Sequence, residues 1–354
     1  MKLHKDINAF RVLINDIHEK TGYRLDVLEK DYYVVLMLEE LAKFQDEGLP
    51  AYFKGGTALY KALHTTNRFS EDIDLSVDAR NCSRTQNDRR LEKATKKYTS
   101  LERERGEEIT NRSEVVAIYS YKPVTDYDKE DALQRFGKLK IEATSFTISE
   151  PVTHMVVAAM IYELATHEQR RILEDLYDVR PFSVQTITME RIFIDKLFAA
   201  ESYVRKSEIK SRAFEAAKHI YDLAVMRKLS QIRELVMNEE QMRHLLNIRM
   251  TEELDRRDGI PEVTPSEFTF FENARYDKNV ISAYDIMQRQ YVLQESDKIS
   301  YDDALEALSD IKQLLLKNNA WNKAVIPDSE ETELIRQGRT EDKFVETEKI
   351  DNKL

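Results

Sequence analysis

Two aspartates separated by one residue, Asp72 and Asp74, constrain the fold and the chemistry of this chain more than any other feature. Alternate side chains of a strand share a face, so the two carboxylates are predicted to project together while Ile73 and Leu75 point into a core. Carboxylates held this close repel each other unless a cation lies between them. Mg²⁺ takes oxygen ligands and is often completed by substrate phosphates. The pair therefore predicts a Mg²⁺ site, with Mn²⁺ as the other ion considered.

Two glycines upstream, Gly55 and Gly56, indicate a place where the backbone approaches a ligand closely. They follow a short apolar run, Ala51–Phe53, and a helix is predicted to begin near Thr57. The first turn of a helix presents free N–H groups that bind anions, and a triphosphate fits this description. A lone Asp-x-Asp or a lone Gly-Gly also occurs at ordinary turns and strand ends. Their combination, however, predicts nucleotide binding.

Other residues near these motifs complete the predicted site. Glu142 alternates with apolar residues in the predicted strand Lys138–Ile148, which makes it the candidate for a third carboxylate; an exposed strand residue is the alternative. Lys54 and Ser70 lie close enough to the metal strand in sequence to contact phosphates. The predicted metal ligands are Asp72, Asp74 and Glu142, and the predicted nucleotide-binding residues are Lys54, Gly55, Gly56, Thr57 and Ser70.

The periodicity of apolar residues predicts an α+β fold in two lobes with a tail. Residues 1–150 mix helices and strands and form the nucleotidyltransferase core, residues 151–326 form a mainly helical lobe that completes the active site, and residues 327–354 are expected to form a charged, flexible tail. The predicted helices are 4–20, 26–44, 57–63, 84–105, 151–165, 167–176, 188–208, 211–228, 230–249, 279–294 and 299–317. The predicted strands are 51–53, 73–77, 114–121, 138–148 and 182–187, and residues 255–273 are predicted to form a loop.

Composition limits the classes of function. The 354 residues are 42% apolar and 34% charged, which is typical of a helix-rich globular protein. The net charge of −11 argues against a general nucleic-acid coat protein, because Lys and Arg provide most of the affinity for phosphate backbones. Two local basic segments, 84–105 and 202–228, are either RNA- or triphosphate-binding faces or solvated helix faces.

Targeting signals are absent from the sequence pattern. The longest apolar run, Met155–Tyr162, is too short to span a membrane. The first residues lack the apolar stretch of a secretory signal, and Cys82 is the only cysteine. We therefore expect a cytoplasmic protein that has no membrane partner.

The Gly-Gly and Asp-x-Asp segments together resemble the nucleotide-binding signature of the DNA polymerase β superfamily of nucleotidyltransferases. More narrowly, the chain resembles the AbiEii/AbiGii toxin family over most of its ordered length, from residue 25 to residue 230. The segments that carry this resemblance are Glu29–Tyr33, Phe53–Leu59, Arg68–Leu75, Asp195–Leu197 and Tyr221–Leu223.

This resemblance implies a polymerase β-like core and a metal-dependent enzyme that transfers a nucleotide from an NTP to an acceptor. It also implies a bacterial toxin that is encoded beside an antitoxin and is tied to phage defence. Some members modify the acceptor end of tRNA, so RNA is the expected acceptor.

The resemblance also assigns roles to residues of the second lobe. Lys196 matches the family lysine that holds the triphosphate, and Asp222 matches the aspartate that orients or deprotonates the acceptor hydroxyl or holds Lys196. Asp31 either braces the Gly-Gly loop or is a solvated helix charge. His219 is predicted to share the helix face of Asp222.

Two other interpretations stay open at this stage. An enzyme with a small-molecule or protein acceptor would carry the same metal signature. A catalytically silent protein would retain the fold for nucleotide binding or antitoxin docking. The preferred NTP, the number of nucleotides added and the oligomeric state depend on contacts that no short motif records.

Overall fold

A seven-stranded mixed sheet forms the centre of the protein. The computed structural model describes residues 1–126, 133, 135–256 and 259–338. The strands are β1 (Ala51–Lys54), β2 (Ile73–Val77), β3 (Glu102–Thr110), β4 (Glu114–Ser120), β5 (Lys138–Thr144), β6 (Val152–Val157) and β7 (Phe182–Ile187). Their order in the sheet is β3-β4-β5-β2-β1-β7-β6. The pairs β2–β5 and β1–β7 are parallel, and the other neighbours are antiparallel.

Helices make up most of the remaining described chain and confirm the α+β class. In the first half they are α1 (Ile7–Thr21), α2 (Leu25–Asp46), α3 (Gly55–Lys61), α4 (Arg84–Lys96), α5 (Met160–Glu163) and α6 (His167–Tyr177). In the second half they are α7 (Met189–Val204), α8 (Lys210–Met226), α9 (Ser230–Met237), α10 (Glu239–Glu253), α11 (Phe270–Asn273), α12 (Lys278–Tyr291), α13 (Tyr301–Leu315), α14 (Asn319–Asn322) and α15 (Ser329–Gln337). Within the described ranges, no helix combines the length and the apolar character needed to cross a membrane.

The sheet and the C-terminal helices share one continuous core. Buried apolar side chains connect from Leu3, beside α1, to Trp321 in α14. Helix α8 lies at the centre of the helical part, where it packs against α7, α12 and α13. Strands β6 and β7 belong to the same sheet as β1 and β2. The sheet thus continues past residue 150, where the sequence analysis ends the core.

The helix predicted over residues 84–105 is only partly correct. Helix α4 begins with a capping box at Ser83 and ends at Lys96, and residues 102–110 form the edge strand β3 instead. The charged residues of this segment suit an exposed helix in sequence, but the backbone pairs with β4. The β3–β4 register shifts between Glu104 and Ile109, and the guanidinium of Arg103 lies 2.9 Å from the carboxylate of Glu108 within the same strand. Pairing to a neighbouring strand overrides local helix propensity here.

The helix predicted over residues 151–165 is also wrong for its first part. Residues 152–157 form β6, which pairs antiparallel with β7 from Val152–Ile187 to Val157–Phe182. The segment is rich in β-branched residues, and Val152, His154 and Val156 are exposed while the residues between them are more buried. This alternation is the strand signal that the helical interpretation passed over. Only the short helix α5 follows it.

Two other predicted segments contain more structure than expected. Residues 255–273, predicted as a loop, include α11, and residues 329–337 of the predicted tail form α15. Ile335 is 1% exposed and packs with Ile148 and Ile248, which explains why this part of the charged tail is ordered. The rest of the predicted tail, 339–354, lies outside the described residues.

Helix α2 places four charged side chains in the interior, Asp26, Glu29, Lys30 and Asp31. Glu29 accepts hydrogen bonds from the backbone N–H groups of Val124 and Thr125. Lys30 lies 2.8 Å from Glu71, the residue before the aspartate pair. A buried charge is stable only when it is paired and hydrogen-bonded, so these contacts fix α2 against the loops that flank the metal strand.

Asp31 stabilises helix α3, which begins with the Gly-Gly segment. Its carboxylate is fully buried, lies 2.9 Å from Lys61 Nζ and accepts a 3.0 Å hydrogen bond from the Tyr60 hydroxyl, both in α3. The backbone N–H of Met160 donates to its other oxygen. Of the two alternatives given by the sequence, the structure excludes the solvated helix charge.

Asp31→Ala is therefore expected to lower the free energy of unfolding by about 3 kcal/mol, because it removes the closer of the two carboxylates beside the buried ammonium of Lys61 and leaves only Glu163, at 3.4 Å. Asp46→Ala, at the exposed end of the same helix, should change it by less than about 0.5 kcal/mol. Urea denaturation at pH 7 measures both values. Equal, small effects of the two substitutions would contradict the bracing role.

Candidate active site

Parallel pairing of β2 with β5 sets the carboxylates in a fixed array. Asp74 lies directly beside Glu142 in the ladder, and Asp74 also pairs across the sheet with Lys54 at the end of β1. Directly paired residues project from the same face of a sheet, and neighbouring strands are about 4.8 Å apart. Asp72 precedes Asp74 by two residues and therefore shares this face. The structure thus brings together the three carboxylates proposed from sequence.

The opposite face of the same strands is apolar and fully buried. Phe53, Ile73, Leu75, Ile141 and Ala143 are all 0% exposed. Because side chains alternate along a strand, these residues fix which way the intervening carboxylates point. The alternation predicted for the metal strand and for the Glu142 strand is confirmed.

The Gly-Gly segment lies against the carboxylate array. Gly55 has a φ of +80°, and a Cβ there would overlap Oδ2 of Asp74 and lie 3.1 Å from its Cγ. A Cβ at Gly56 would lie 3.0 Å from Arg68 Nη2 and 3.0 Å from Ser70 Oγ. Gly55 has both a positive φ and a close contact, so a side chain there would push into the site, whereas Gly56 is tightly packed against two side chains. At Gly55, where β1 meets α3, the backbone therefore lies closer to the Asp74 carboxylate than it could if the residue had a side chain.

Thr57 fixes this segment to the metal strand. Its hydroxyl donates to the backbone carbonyl of Asp72, and its side chain is fully buried. The hydroxyl is therefore committed to the fold, whereas the sequence analysis placed Thr57 among the nucleotide-binding residues.

Cations already surround Asp72. One carboxylate oxygen is paired with the guanidinium of Arg135, and the other lies 3.3 Å from Lys140 Nζ. The same ammonium is 3.0 Å from Oε2 of Glu142. Although burial opposes ionisation, the charges of Lys140 and Arg135 lower the pKa of Asp72. Asp72 is therefore a carboxylate at neutral pH.

Asp74 is in a different electrostatic state. No described residue donates a hydrogen bond to its carboxylate or forms an ion pair with it. Burial, followed by the charge of Glu142, raises the pKa of Asp74 to about 6. Two paired carboxylates with one raised pKa mark a position that favours an added cation.

The carboxylate set fits a hard divalent cation in its chemistry. All three side chains offer oxygen, the ligand that Mg²⁺ and Mn²⁺ prefer. Within the described ranges, however, no three Asp, Glu, His or Cys side chains already converge on one metal position. Lys140 lies between Asp72 and Glu142 instead.

A second cluster, on α7 and α8, contains the other predicted catalytic residues. Lys196 Nζ lies 2.7 Å from Oδ2 of Asp222. Arg68 binds the same carboxylate with both branches of its guanidinium, from Nε to Oδ1 and from Nη2 to Oδ2, each at 2.9 Å. All three side chains are at most 5% exposed. Arg68 lies in the segment before the metal strand, where its guanidinium could contact a phosphate, but the structure pairs it with Asp222.

The charges in this cluster bear on the roles considered for Asp222. Although burial opposes ionisation, Arg68 and Lys196 lower the pKa of Asp222 far below its ordinary value. A carboxylate that holds its negative charge this firmly is a weak proton acceptor, so the geometry favours the holding of Lys196 over deprotonation of a hydroxyl.

Gly56 lies next to the Asp222 cluster, because a Cβ at this position would meet both Arg68 and Ser70.

His219, three residues before Asp222, stacks on Tyr203 of α7 with ring centroids 5.3 Å apart and ring planes 5° apart. Burial and the charge of Lys196 lower the pKa of His219 well below its ordinary value, so the ring is neutral. Arg205, also near Lys196 in sequence, is paired with the buried Glu201 and takes no part in either cluster.

Sequence reasoning missed two residues that border the site. Glu71 is buried, is paired with Lys30 and accepts a hydrogen bond from the Tyr291 hydroxyl. Its position immediately before Asp72 was an available signal. Arg135 comes from the loop between β4 and β5, and no local pattern in that loop indicates its contact with Asp72.

Comparison with known proteins agrees with this site. The sequence matches the family described as "Nucleotidyl transferase AbiEii toxin, Type IV TA system" over residues 37–307. The site and this match define a nucleotidyltransferase. More narrowly, the chain belongs to the AbiEii toxin family. Membership implies an NTP substrate and an antitoxin partner.

Two solved structures resemble the chain at low sequence identity. JHP933 from Helicobacter pylori is 15% identical, with a TM-score of 0.40 and coverage of 83% of this chain and 94% of that chain. The nucleotidyltransferase toxin MenT4, Rv2826c, from Mycobacterium tuberculosis H37Rv is 14% identical, with a TM-score of 0.43 and coverage of 95% and 97%. No curated protein matches the chain.

Asp222→Asn should lower the free energy of unfolding by about 3 kcal/mol at pH 7, since Arg68 and Lys196 lose their buried counter-charge. The folded-state pKa of Asp222 is depressed, so its stabilisation is fully present above the unfolded value of about 4 and is lost as the pH falls through the folded value. The stability difference between wild type and variant should therefore be constant from pH 7 to about pH 5 and shrink in stronger acid. A difference that grows on acidification would contradict the ion-pair assignment.

Gly55→Ala should reduce nucleotide transfer about 100-fold, because the new methyl group displaces the Asp74 carboxylate. It should also cost at least about 1 kcal/mol of stability, since φ is positive at this position. Gly106→Ala is the matched control, with no atom within 4 Å of the added Cβ. Transfer rates and urea denaturation of both variants test this, and a fully active Gly55→Ala protein would refute the close approach.

Proposed function

We propose that this nucleotidyltransferase moves a nucleotide from an NTP to RNA, at the acceptor end of tRNA, and that the reaction depends on Mg²⁺ or Mn²⁺. The observation that carries the proposal is the placement of Asp74 beside Glu142, with Asp72 on the same face and Gly55 packed against Asp74. A nucleotidyltransferase site needs cations to offset the charge of the triphosphate, and this array offers the ligands.

Asp72, Asp74 and Glu142 would hold the metal. When bound, Mg²⁺ lowers the pKa of the acceptor hydroxyl and offsets the charge of the departing pyrophosphate. Asp72 and Glu142 keep their charge through the cations beside them, whereas Asp74, whose pKa is raised to about 6, adds the third negative charge of the array above that pH. The carboxylates thus provide a negative surface that is formed before substrate arrives.

Lys196 is the candidate for contact with the triphosphate. An ammonium has three donors, and Asp222 is its only ion-pair partner among the described residues. Asp222, itself bound by Arg68, holds the ammonium of Lys196 in place. Lys54 and Ser70 border the same space, next to Asp74 and Gly56 respectively. These residues would bind and orient the NTP, and Asp222 acts through Lys196.

The RNA acceptor is supported by membership of a toxin family and by charge. Residues 205–212, between α7 and α8, include Arg205, Lys206, Lys210 and Arg212, and these two helices also carry Lys196 and Asp222. Lys and Arg near a catalytic cleft attract a phosphate backbone. A role of the toxin in phage defence is part of the same proposal, and it accords with the type IV toxin–antitoxin family.

The Asp72→Asn, Asp74→Asn double variant should lose transfer by at least about 1,000-fold while it keeps its fold, because both side chains face the site and not the core. Purified protein is incubated with Mg²⁺, total cellular RNA and each of the four α-labelled NTPs, and the products are resolved on a denaturing gel. Circular dichroism checks the fold. Asp78→Asn, at the far end of β2, is the carboxylate control and should stay active.

Label at the size of tRNA from the wild type alone supports the whole proposal. Label in a small molecule or a protein would refute the RNA acceptor but keep the enzyme. NTP binding without turnover on any acceptor would favour a silent nucleotide-binding role. Undiminished transfer by the double variant would refute the assignment of the carboxylates.

A further inference from the structure

We infer that Lys140 is a positioning residue that occupies the cation position between Asp72 and Glu142 in the metal-free enzyme and leaves it when metal binds. This inference rests on the metal-dependent chemistry proposed above, but it is independent of the acceptor. It predicts a competition between a side chain of the protein and the metal for the same two carboxylates.

The strand geometry places Lys140 in the array. Ile141 of β5 is paired with Ile73, the first residue of β2. Lys140 directly precedes Ile141, just as Asp72 directly precedes Ile73. Lys140 also lies two residues before Glu142. Lys140 therefore projects from the same face as both carboxylates. Its Nζ is 3.3 Å from Asp72 Oδ2 and 3.0 Å from Glu142 Oε2. A cation that bridges two predicted metal ligands takes the position that a metal ion would need.

The arrangement solves a problem that the metal-free site would otherwise have. Asp72, Asp74 and Glu142 would together place three negative charges on neighbouring positions of one face of the sheet, and charges this close repel. Lys140 offsets part of that charge and holds the carboxylates in position. Its side chain is 23% exposed, so the ammonium has a path to solvent or to a phosphate when a divalent ion replaces it.

Exchange of Lys140 for a metal ion predicts the direction in which metal affinity changes when Lys140 is removed. If Lys140 stabilises the metal-free state, its removal destabilises that state and strengthens metal binding. If Lys140 were only a structural residue of the sheet, its removal would leave metal affinity unchanged or would weaken it by disordering the ligands. The direction of the change in affinity thus separates the two roles.

Strand β5 offers a matched control. Lys138 lies two residues earlier and shares the face of Lys140, but it pairs with Glu104 at 2.8 Å and with Glu107 at 2.6 Å, away from the metal ligands. Lys138→Met removes the same charge as Lys140→Met and, like it, keeps most of the length of the side chain. It therefore measures the general effect of one fewer positive charge on this surface.

The experiment measures Mn²⁺ affinity by electron paramagnetic resonance of the free ion, in the absence of NTP and RNA. Lys140→Met should bind Mn²⁺ about fivefold more tightly than the wild type, which is the effect expected for a partly exposed ion pair. Lys138→Met and Lys140→Arg should stay within about twofold of the wild type. Lys140→Gln serves as a second test if the methionine variant does not fold.

Unchanged or weaker Mn²⁺ binding by Lys140→Met would overturn the inference, as would an equal gain in Lys138→Met. A gain in affinity together with no transfer to RNA would leave the inference standing and reject the RNA acceptor. Absence of Mn²⁺ binding by every variant, even with NTP added, would reject both the inference and the metal dependence.

Discussion

The electrostatic repulsion between Asp74 and Glu142 is the constraint on which the rest of the site depends. Parallel pairing of β2 with β5 fixes the two carboxylates side by side, and the buried apolar residues on the other face prevent either strand from turning them away. A protein keeps such an arrangement only where a cation offsets it. Lys140 and Arg135 provide that charge around Asp72, while Asp74 has no such partner among the described residues and its pKa is raised to about 6 by burial and by Glu142. The array is therefore prepared for an additional cation.

Buried ion pairs hold the elements that surround this array. Asp31 anchors α3 through Lys61, Lys30 anchors the loop before β2 through Glu71, and Asp222 anchors Arg68 and Lys196. Each pair joins segments far apart in sequence, and removal of one partner takes away the nearest counter-charge of a buried group. Several residues by which the family is recognised thus work as supports for the active site. Catalytic geometry depends on such supporting contacts as much as on the residues that touch the substrate.

The sequence predicted the metal strand, the Gly-Gly segment and the place of Glu142, because strand alternation and glycine chemistry are local and leave a clear pattern. It missed β3 and β6, whose strand character depends on pairing with β4 and β7, and it missed the contact of Arg135 with Asp72, since loop conformation brings the two together. It also left open the role of Asp222. Only the fold shows that Arg68, 154 residues earlier in the chain, occupies both of its oxygens. Long-range pairing is the information that local patterns lack.

A crystal structure of the protein with Mn²⁺ and a non-hydrolysable NTP, with the metal located by anomalous scattering, tests the central claim most directly. We predict an anomalous peak within about 2.3 Å of oxygens of Asp72, Asp74 and Glu142, with the triphosphate beside Gly55 and Lys196 and with Lys140 withdrawn from between the carboxylates. Bound nucleotide with no metal at these carboxylates, or metal held elsewhere, would contradict it.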